Sequence, residues 1–232
     1  MTSPDLIVRR VSRYFFGALR FVSGVCRSVY QPSRYAIKRG YIHRSHILPH
    51  DDRGWGEMFQ KEVYQKAKAL MEQHDWQSVI DVGCGSGYKL MKYLGHYKTL
   101  GIDTDPALSM AKTNYPDAKW MYVHEFDMAS HSADLILCAD VIEHVEHPDE
   151  LIKALFSIPD WKCIMISTPE RDIKRGWFHF GPPPNPAHWR EWSKKELYRF
   201  VSGYHTVYFH EITNVEQATQ LIICMNPDSK PL

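Results

Sequence analysis

Three glycines at alternate positions, Gly83, Gly85 and Gly87, sit just behind an acid in the run Asp81-Val82-Gly83-Cys84-Gly85-Ser86-Gly87. Glycine tolerates positive φ and lets a ligand come close to the backbone. A second acid, Asp103, closes the next apolar run, where a carboxylate can accept hydrogen bonds from both hydroxyls of an adenosine ribose. The spacing is Gly-x-Gly-x-Gly, not the Gly-x-Gly-x-x-Gly of dinucleotide enzymes. A carboxylate at Asp81 would repel a pyrophosphate but suits a ligand with a cationic amine. Either acid alone could simply cap a strand end; their joint spacing with the glycines points to a nucleoside-like ligand.

Histidine is the usual proton acceptor near neutral pH, and three are candidates for a catalytic base. His144 follows Glu143, and His179 and His188 lie in a proline-rich segment. The plainer readings are a loop brace for His144 and surface or structural roles for the other two. His131 and His147 read as solvated. No metal site is expected, because the His/Asp clusters lack ligand spacing.

Positioning these groups requires strands that end where they stand. Helical spacing runs from Gly56 to Trp76 and strand character over 78–82, then helical character from Tyr88 to Leu94 and a strand over 99–102. Asp105-Pro106 opens a helix to about Asn114. Strands are expected over 118–123 and 133–138, a helix from Pro148 through Phe156, and a strand over 161–167. Alternation from 57 to 168 is the pattern of a doubly wound parallel sheet. Residues 176–192 read as loop, Ser193-Lys194-Lys195-Glu196 as a capping box opening a helix, and 204–212 with 217–225 as an antiparallel hairpin. The expected fold is α/β, a Rossmann-like doubly wound seven-stranded sheet with a C-terminal antiparallel hairpin and an N-terminal helical extension. A basic amphipathic extension over 1–55 would precede a catalytic domain over 56–232.

The length of 232 residues suits one α/β domain with additions. A net charge of +1 argues against a nucleic-acid binder relying on a global basic field. The cysteines are scattered and read as core residues of a reducing, cytoplasmic compartment. Residues 1–50 concentrate arginine, with Asp5 as their only acid, but contain no apolar run of the ~20 residues a spanning helix needs. They read either as a basic helix lying on the inner face of an anionic membrane or as a helix packed on the domain or a partner.

The segments Val79–Gly87, Gly101-Ile102-Asp103 and Asp134-Leu135-Ile136-Leu137-Cys138-Ala139-Asp140-Val141-Ile142-Glu143-His144 closely resemble the class I S-adenosylmethionine-dependent methyltransferases. The nearest likeness is to the ubiquinone-biosynthesis-like O-methyltransferases. The resemblance implies S-adenosylmethionine as cofactor, lined by Gly83, Cys84, Gly85 and Gly87. It puts Asp81 near the methionine end, and Asp103 and Thr104 at the ribose. Asp127, followed by Met128, would meet the adenine amino group, with Glu125 as the second choice, and Cys138 and Ala139 would lie alongside through their backbone.

The segment Gly181-Pro182-Pro183-Pro184-Asn185-Pro186-Ala187-His188-Trp189-Arg190-Glu191-Trp192-Ser193 is similar to methyltransferases of bacterial surface-glycan pathways. Its aromatics, Arg190 and Glu191 offer stacking and polar contacts for a sugar; alternatively Trp189 and Trp192 pack the segment down while Arg190 and Glu191 pair locally. The leading expectation is O-methylation of a sugar or other small hydroxylated acceptor. The rivals are methylation of a lipid or quinone-like substrate at a membrane surface, a non-catalytic cofactor-binding scaffold, and a dehydrogenase. No nucleic-acid partner is expected.

Overall fold

A computed structural model describes residues 21–47 and 59–227. Expectations that fall on residues 1–20 and 48–58 lie outside the described residues.

Seven strands, β1 (Ser78–Val82), β2 (Lys98–Asp103), β3 (Lys119–Tyr122), β4 (Leu135–Ala139), β5 (Cys163–Pro169), β6 (Phe209–Asn214) and β7 (Thr219–Met225), form one sheet ordered β3-β2-β1-β4-β5-β7-β6. The first five run parallel, β7 is antiparallel to β5, and β6 to β7. Helix α1 covers residues 21–30 as far as described. It is followed by α2 (Lys61–Gln73), α3 (Tyr88–Leu94), α4 (Ala107–Asn114), α5 (Pro148–Ser157), α6 (Arg171–Arg175) and α7 (Lys194–Ser202).

Strand β4 is buried along its whole length and β5 along all but its last residue. Central parallel strands covered on both faces read as such unbroken apolar runs. Separate apolar clusters cover the two faces, one around Ile136, Ile164 and Ile166, the other around Leu135, Leu137 and Met165.

The expected doubly wound sheet and C-terminal hairpin are present, with local differences. Strand β6 begins at Phe209, not at Tyr204, because the backbone N–H groups of Tyr204 and His205 both turn back to the Val201 carbonyl. Two 3-10 turns, Val123–Glu125 and Met128–Ser130, fill the passage from β3 to β4. Helix α6 follows β5 because Glu170 caps it, accepting from the Ile173 backbone N–H.

The segment before α2 is stitched to the far end of the sheet. Ile37 and Tyr41 are buried in the core, and the Trp192 indole donates to the Tyr35 carbonyl. The Ser193–Glu196 capping box forms as expected. Its Glu196 carboxylate also accepts from the Lys38 backbone N–H at 2.8 Å and from the buried Arg171 guanidinium at 2.6 Å. Breaking a buried pair leaves an uncompensated charge and costs about 3–5 kcal/mol. Asp172 also pairs with Arg171, so Glu196→Ala is expected at the lower end, near ~3 kcal/mol. That should appear in urea denaturation as a lower midpoint at constant slope; an unchanged midpoint would contradict this role for Glu196.

Candidate active site

The carboxyl ends of β1, β2 and β4 lie side by side. The N–H groups of Gly83 and Cys84 both donate to the Ile102 carbonyl, at 2.8 and 3.1 Å, which folds the glycine turn back over β2. Gly83 has φ +81°, and a Cβ there would come within 2.2 Å of Val141. The turn is therefore pressed against the loop leaving β4, where only glycine fits.

Asp81 is fully buried. Its Oδ2 accepts from the Tyr64 hydroxyl at 2.8 Å, and its Oδ1 has no hydrogen-bond partner. Burial lifts its carboxyl to about 7, against the opposing effects of Tyr64 and Lys89. A buried carboxylate oxygen without a partner is costly. A ligand ammonium would satisfy it, so the residues present fit the methionine end of S-adenosylmethionine. Asp103 accepts from the backbone N–H of Gly85 and of Thr104, both at 2.6 Å. Each carboxylate oxygen can take two bonds, so the same group can brace the turn and meet a ribose hydroxyl.

Cys84, Cys138 and Ala139 are buried beside this turn, and the Ala139 carbonyl accepts from the Gln60 side chain at 3.0 Å. Asp127 is exposed and caps the turn Met128–Ser130, accepting from the Ala129 N–H and the Ser130 hydroxyl; those bonds hold its carboxyl below the usual range. Glu125 closes the preceding turn by accepting from the Tyr122 N–H. Both candidates for the adenine contact thus have capping roles, and Met128 packs against the core.

Past β4 the backbone turns at Asp140, a non-glycine residue at φ +55°. Its N–H donates to the Ser167 carbonyl at 3.0 Å, and its Oδ1 accepts from the Ser167 hydroxyl at 2.7 Å. Such a conformation costs of order 1–3 kcal/mol and persists where its surroundings over-determine it. Glu143 is buried, and its Oε2 accepts from the Thr168 hydroxyl at 2.8 Å. Burial and the nearby Asp140 carboxylate raise its carboxyl well above the ordinary range.

His144 and His188 meet edge to face with ring centres 4.7 Å apart. His144 Nδ1 lies 2.9 Å from the Ala187 carbonyl, and His188 Nδ1 lies 3.0 Å from Glu191 Oε1. A carbonyl only accepts, so His144 carries its proton on Nδ1 and a lone pair on Nε2. By the same reasoning Glu191 directs the His188 proton to Nδ1. His144 Nε2 is 4.0 Å from Glu143 Oε1, and the Asn185 amide stands 2.9 Å from His188 Nε2. Glu143, His144 and His188 each offer a ligand atom within 4.8 Å of the others, a set able to hold a cation. His179 stands apart, against Tyr41, and burial lowers it to about 4.

The proline-rich segment presents less to solvent than its composition suggests. Arg190 is buried and donates to the carbonyls of Val145 and Glu146, at 2.6 and 2.7 Å. Glu191 meets His188 through Oε1, with Arg175 3.8 Å from Oε2, and Trp192 is in the core. Arg190 and Trp192 are thus packed into the chain. Tyr64, Gln60, Thr168 and Asn185 were not anticipated. Nothing local distinguishes them, since each matters through a partner brought in by the fold.

The profile of a family described as "Methyltransferase domain" matches residues 52–220. The mitochondrial ubiquinone biosynthesis O-methyltransferase of Saccharomyces cerevisiae is 28% identical over 132 residues, a match spanning 51% of this chain and 42% of that protein. Among solved structures, the methyltransferase domain of a bacterial CtHen1 is similar at a TM-score of 0.56 and 21% identity, covering 72% of this chain and 97% of the other. Magnesium protoporphyrin IX methyltransferase from Synechocystis PCC 6803, solved with bound S-adenosylhomocysteine, is similar at 0.57 and 13%, covering 94% and 99%. At these identities the structures speak for a shared fold.

The state of Asp81 can be tested directly. Its carboxyl titrates at about 7 in the folded chain against an ordinary 3.8. The folded state therefore keeps a proton that the unfolded chain loses across this window, so ligand-free stability falls as pH rises through it. Asp81→Asn is expected to raise the urea midpoint of the ligand-free protein at pH 8. It should also weaken S-adenosylhomocysteine binding by about tenfold or more, the scale of one lost interaction of ~1.4 kcal/mol. Wild-type affinity should rise between pH 6 and 8, by calorimetry, and that slope should vanish in the variant. Equal affinity in both proteins at pH 8 would remove Asp81 from the cofactor site.

Proposed function

The chain belongs to the methyltransferase-domain family and uses S-adenosylmethionine, and on that premise we propose that it methylates a hydroxyl of a sugar or other small hydroxylated acceptor. Bound S-adenosylmethionine supplies a methyl group on a positively charged sulfur, already activated for displacement. The protein must hold an acceptor oxygen in line and remove its proton. The observation carrying this reading is the His144–His188 pair, whose Nδ1–H groups are pinned by Ala187 and Glu191. Pinning puts the accepting lone pair of each ring on Nε2, that of His188 facing the Asn185 amide. His144 follows β4 by a single short turn, which sets it near the cofactor-lining end of that strand. We assign it as the base, with His188 and Asn185 orienting the hydroxyl. His144 Nε2 would take the proton of an acceptor hydroxyl held in line with the activated methyl group. The surroundings of the pair (Glu143, Thr168, Asn185 and Glu191) are polar, which suits a hydroxylated acceptor over an apolar one.

A second reading rests on the ligand atoms of Glu143, His144 and His188 clustered within 4.8 Å. A divalent cation held there would lower the pKa of a coordinated hydroxyl, replacing the imidazole as the activating group. It departs from the sequence expectation of no metal, since the ligands come from distant parts of the chain.

With S-adenosylmethionine and a panel of sugars, the acceptor bearing a free hydroxyl should gain one methyl on oxygen, identified by mass and proton spectra. Its deoxy analogue should be inert. His144→Gln should lower kcat about 10²–10⁴-fold, the range for a lost general base, with little change in cofactor affinity. If the imidazole is the base, chelation with EDTA leaves the rate unchanged; if a cation serves, EDTA abolishes turnover and Mn²⁺ restores it. Methylation on nitrogen would overturn the O-methyltransferase assignment.

A further inference from the structure

We infer that helix α1 and the loop 176–180 form a surface that docks on an anionic lipid bilayer, bringing the acceptor site to substrates held at the membrane. The inference rests on the methyltransferase reading above and adds where the enzyme works.

Helix α1 exposes an apolar stripe. Val22, Val25 and Val29 recur at helical spacing and all face solvent, Val29 at 77% exposure, with Tyr30 beside them. The opposite side of the helix is the packed one: Gly24 lies so close to Phe180 that a Cβ there would meet its ring at 2.4 Å. Next to the stripe the loop displays Trp177 and Phe178, 68% and 58% exposed. The two parts form one surface. Phe21 packs edge-on against Phe178 with ring centres 4.8 Å apart, and Lys38 donates to the Trp177 carbonyl while its ammonium sits 4.2 Å over the Phe180 ring.

The charge around this apolar surface is mainly basic, the nearby Asp172 being paired with Arg171. Residues 21–47 contain Arg27, Arg34, Lys38, Arg39 and Arg44 and no acid. Arg27 ties α1 to the following turn by donating to the Gly40 carbonyl at 3.2 Å, and Arg39 reaches back to the carbonyls of Val29 and Gln31. The arginines are thus fastened around the stripe. Lys174 and Arg175 lead into the loop from the other side.

Tryptophan and phenylalanine with aliphatic neighbours, ringed by arginine and lysine, match the interfacial region of a bilayer with anionic headgroups. A second copy of the chain is a poor occupant, since pairing this surface with itself would set arginine against arginine. No helix among the described residues is long and apolar enough to cross a membrane, so the contact is peripheral. The loop runs directly into the segment carrying Asn185 and His188, so an enzyme seated this way holds its candidate acceptor groups close to the lipid surface.

The test is cosedimentation of the full chain with phosphatidylcholine vesicles, with and without phosphatidylserine, whose negative surface potential attracts basic segments. Methyl transfer to a soluble hydroxylated acceptor is measured in parallel. The expected result is salt-sensitive binding to the anionic vesicles only. The double variant Trp177→Ser/Phe178→Ser should lose roughly tenfold of that binding with an unchanged rate on the soluble acceptor. Because these side chains are exposed, the variant should keep the wild-type unfolding midpoint; Arg27→Gln/Arg39→Gln supplies a second variant acting through charge. Absence of binding to anionic vesicles overturns the inference, as does binding that neither variant alters. So does a dimer in sedimentation velocity that the double variant disperses, which would show a second copy on this surface. In each of those cases an intact rate on the soluble acceptor leaves the methyltransferase reading standing.

Discussion

Charge buried at the carboxyl edge of the sheet is the constraint around which the rest of the molecule is arranged. Asp81, Glu143, Glu170, Glu191 and Glu196 are all at most 5% exposed, and each stands in or just beyond the strand ends or on the segment that closes over them. A carboxylate taken out of water must be matched by donors or cations, or it takes up a proton. Three of these groups have their match inside the chain: Thr168 for Glu143, the Ile173 and Lys194 N–H groups for Glu170, and Arg171 for Glu196. Glu191 and Asp81 are each hydrogen-bonded on one oxygen only, by His188 and Tyr64, and Arg175 stands 3.8 Å from the other oxygen of Glu191. The matched carboxylates hold elements together, and the open oxygen of Asp81 beside the glycine turn can still accept a bond.

That logic explains why the segment after β5 is built as it is. Glu170 caps both α6 and the start of α7, and Arg171 reaches the Glu191 carbonyl as well as Glu196. Arg190 crosses back to the carbonyls following His144. These bonds fix the proline-rich run against the loop after β4. His188 is thereby brought onto His144 across a gap of more than forty residues in the chain. Residues 35–44 are drawn into the same network through Tyr41, whose hydroxyl accepts from the Glu191 N–H.

Features carried by consecutive residues could be read from the chain, and features carried by pairing could not. The glycine turn, its two acids and the alternation of strands and helices are local, so their fold and ligand class were legible. The Ser193–Glu196 capping box was equally plain, because both partners lie within one turn. The aromatic and charged run at 187–193 left two readings open, a sugar-contacting wall and a packed brace, for a physical reason. Its residue types suit both a polar binding surface and a buried polar brace, and only burial separates the two. Arg190 and Trp192 proved to be brace. Asp127 illustrates the same point on a smaller scale: an acid after a strand can meet a ligand, cap the next turn or do both, and only its capping is visible in the fold.

The site and the exposed surface differ in a way that constrains the acceptor. Around His144 and His188 the neighbours are Glu143, Thr168, Asn185 and Glu191, all polar, and a hydroxylated acceptor could extend their hydrogen bonds where an apolar one could not. Beside Trp177 and Phe178 stand Phe21 and Lys38. A free sugar would satisfy the first environment and have no use for the second; an apolar quinone would suit the second and be penalised in the first. On the proposed docking, a hydroxylated head carried on a lipid would satisfy both. Binding energy from its apolar part would be gained away from the reacting oxygen, and such remote contacts can be spent on alignment at the point of transfer.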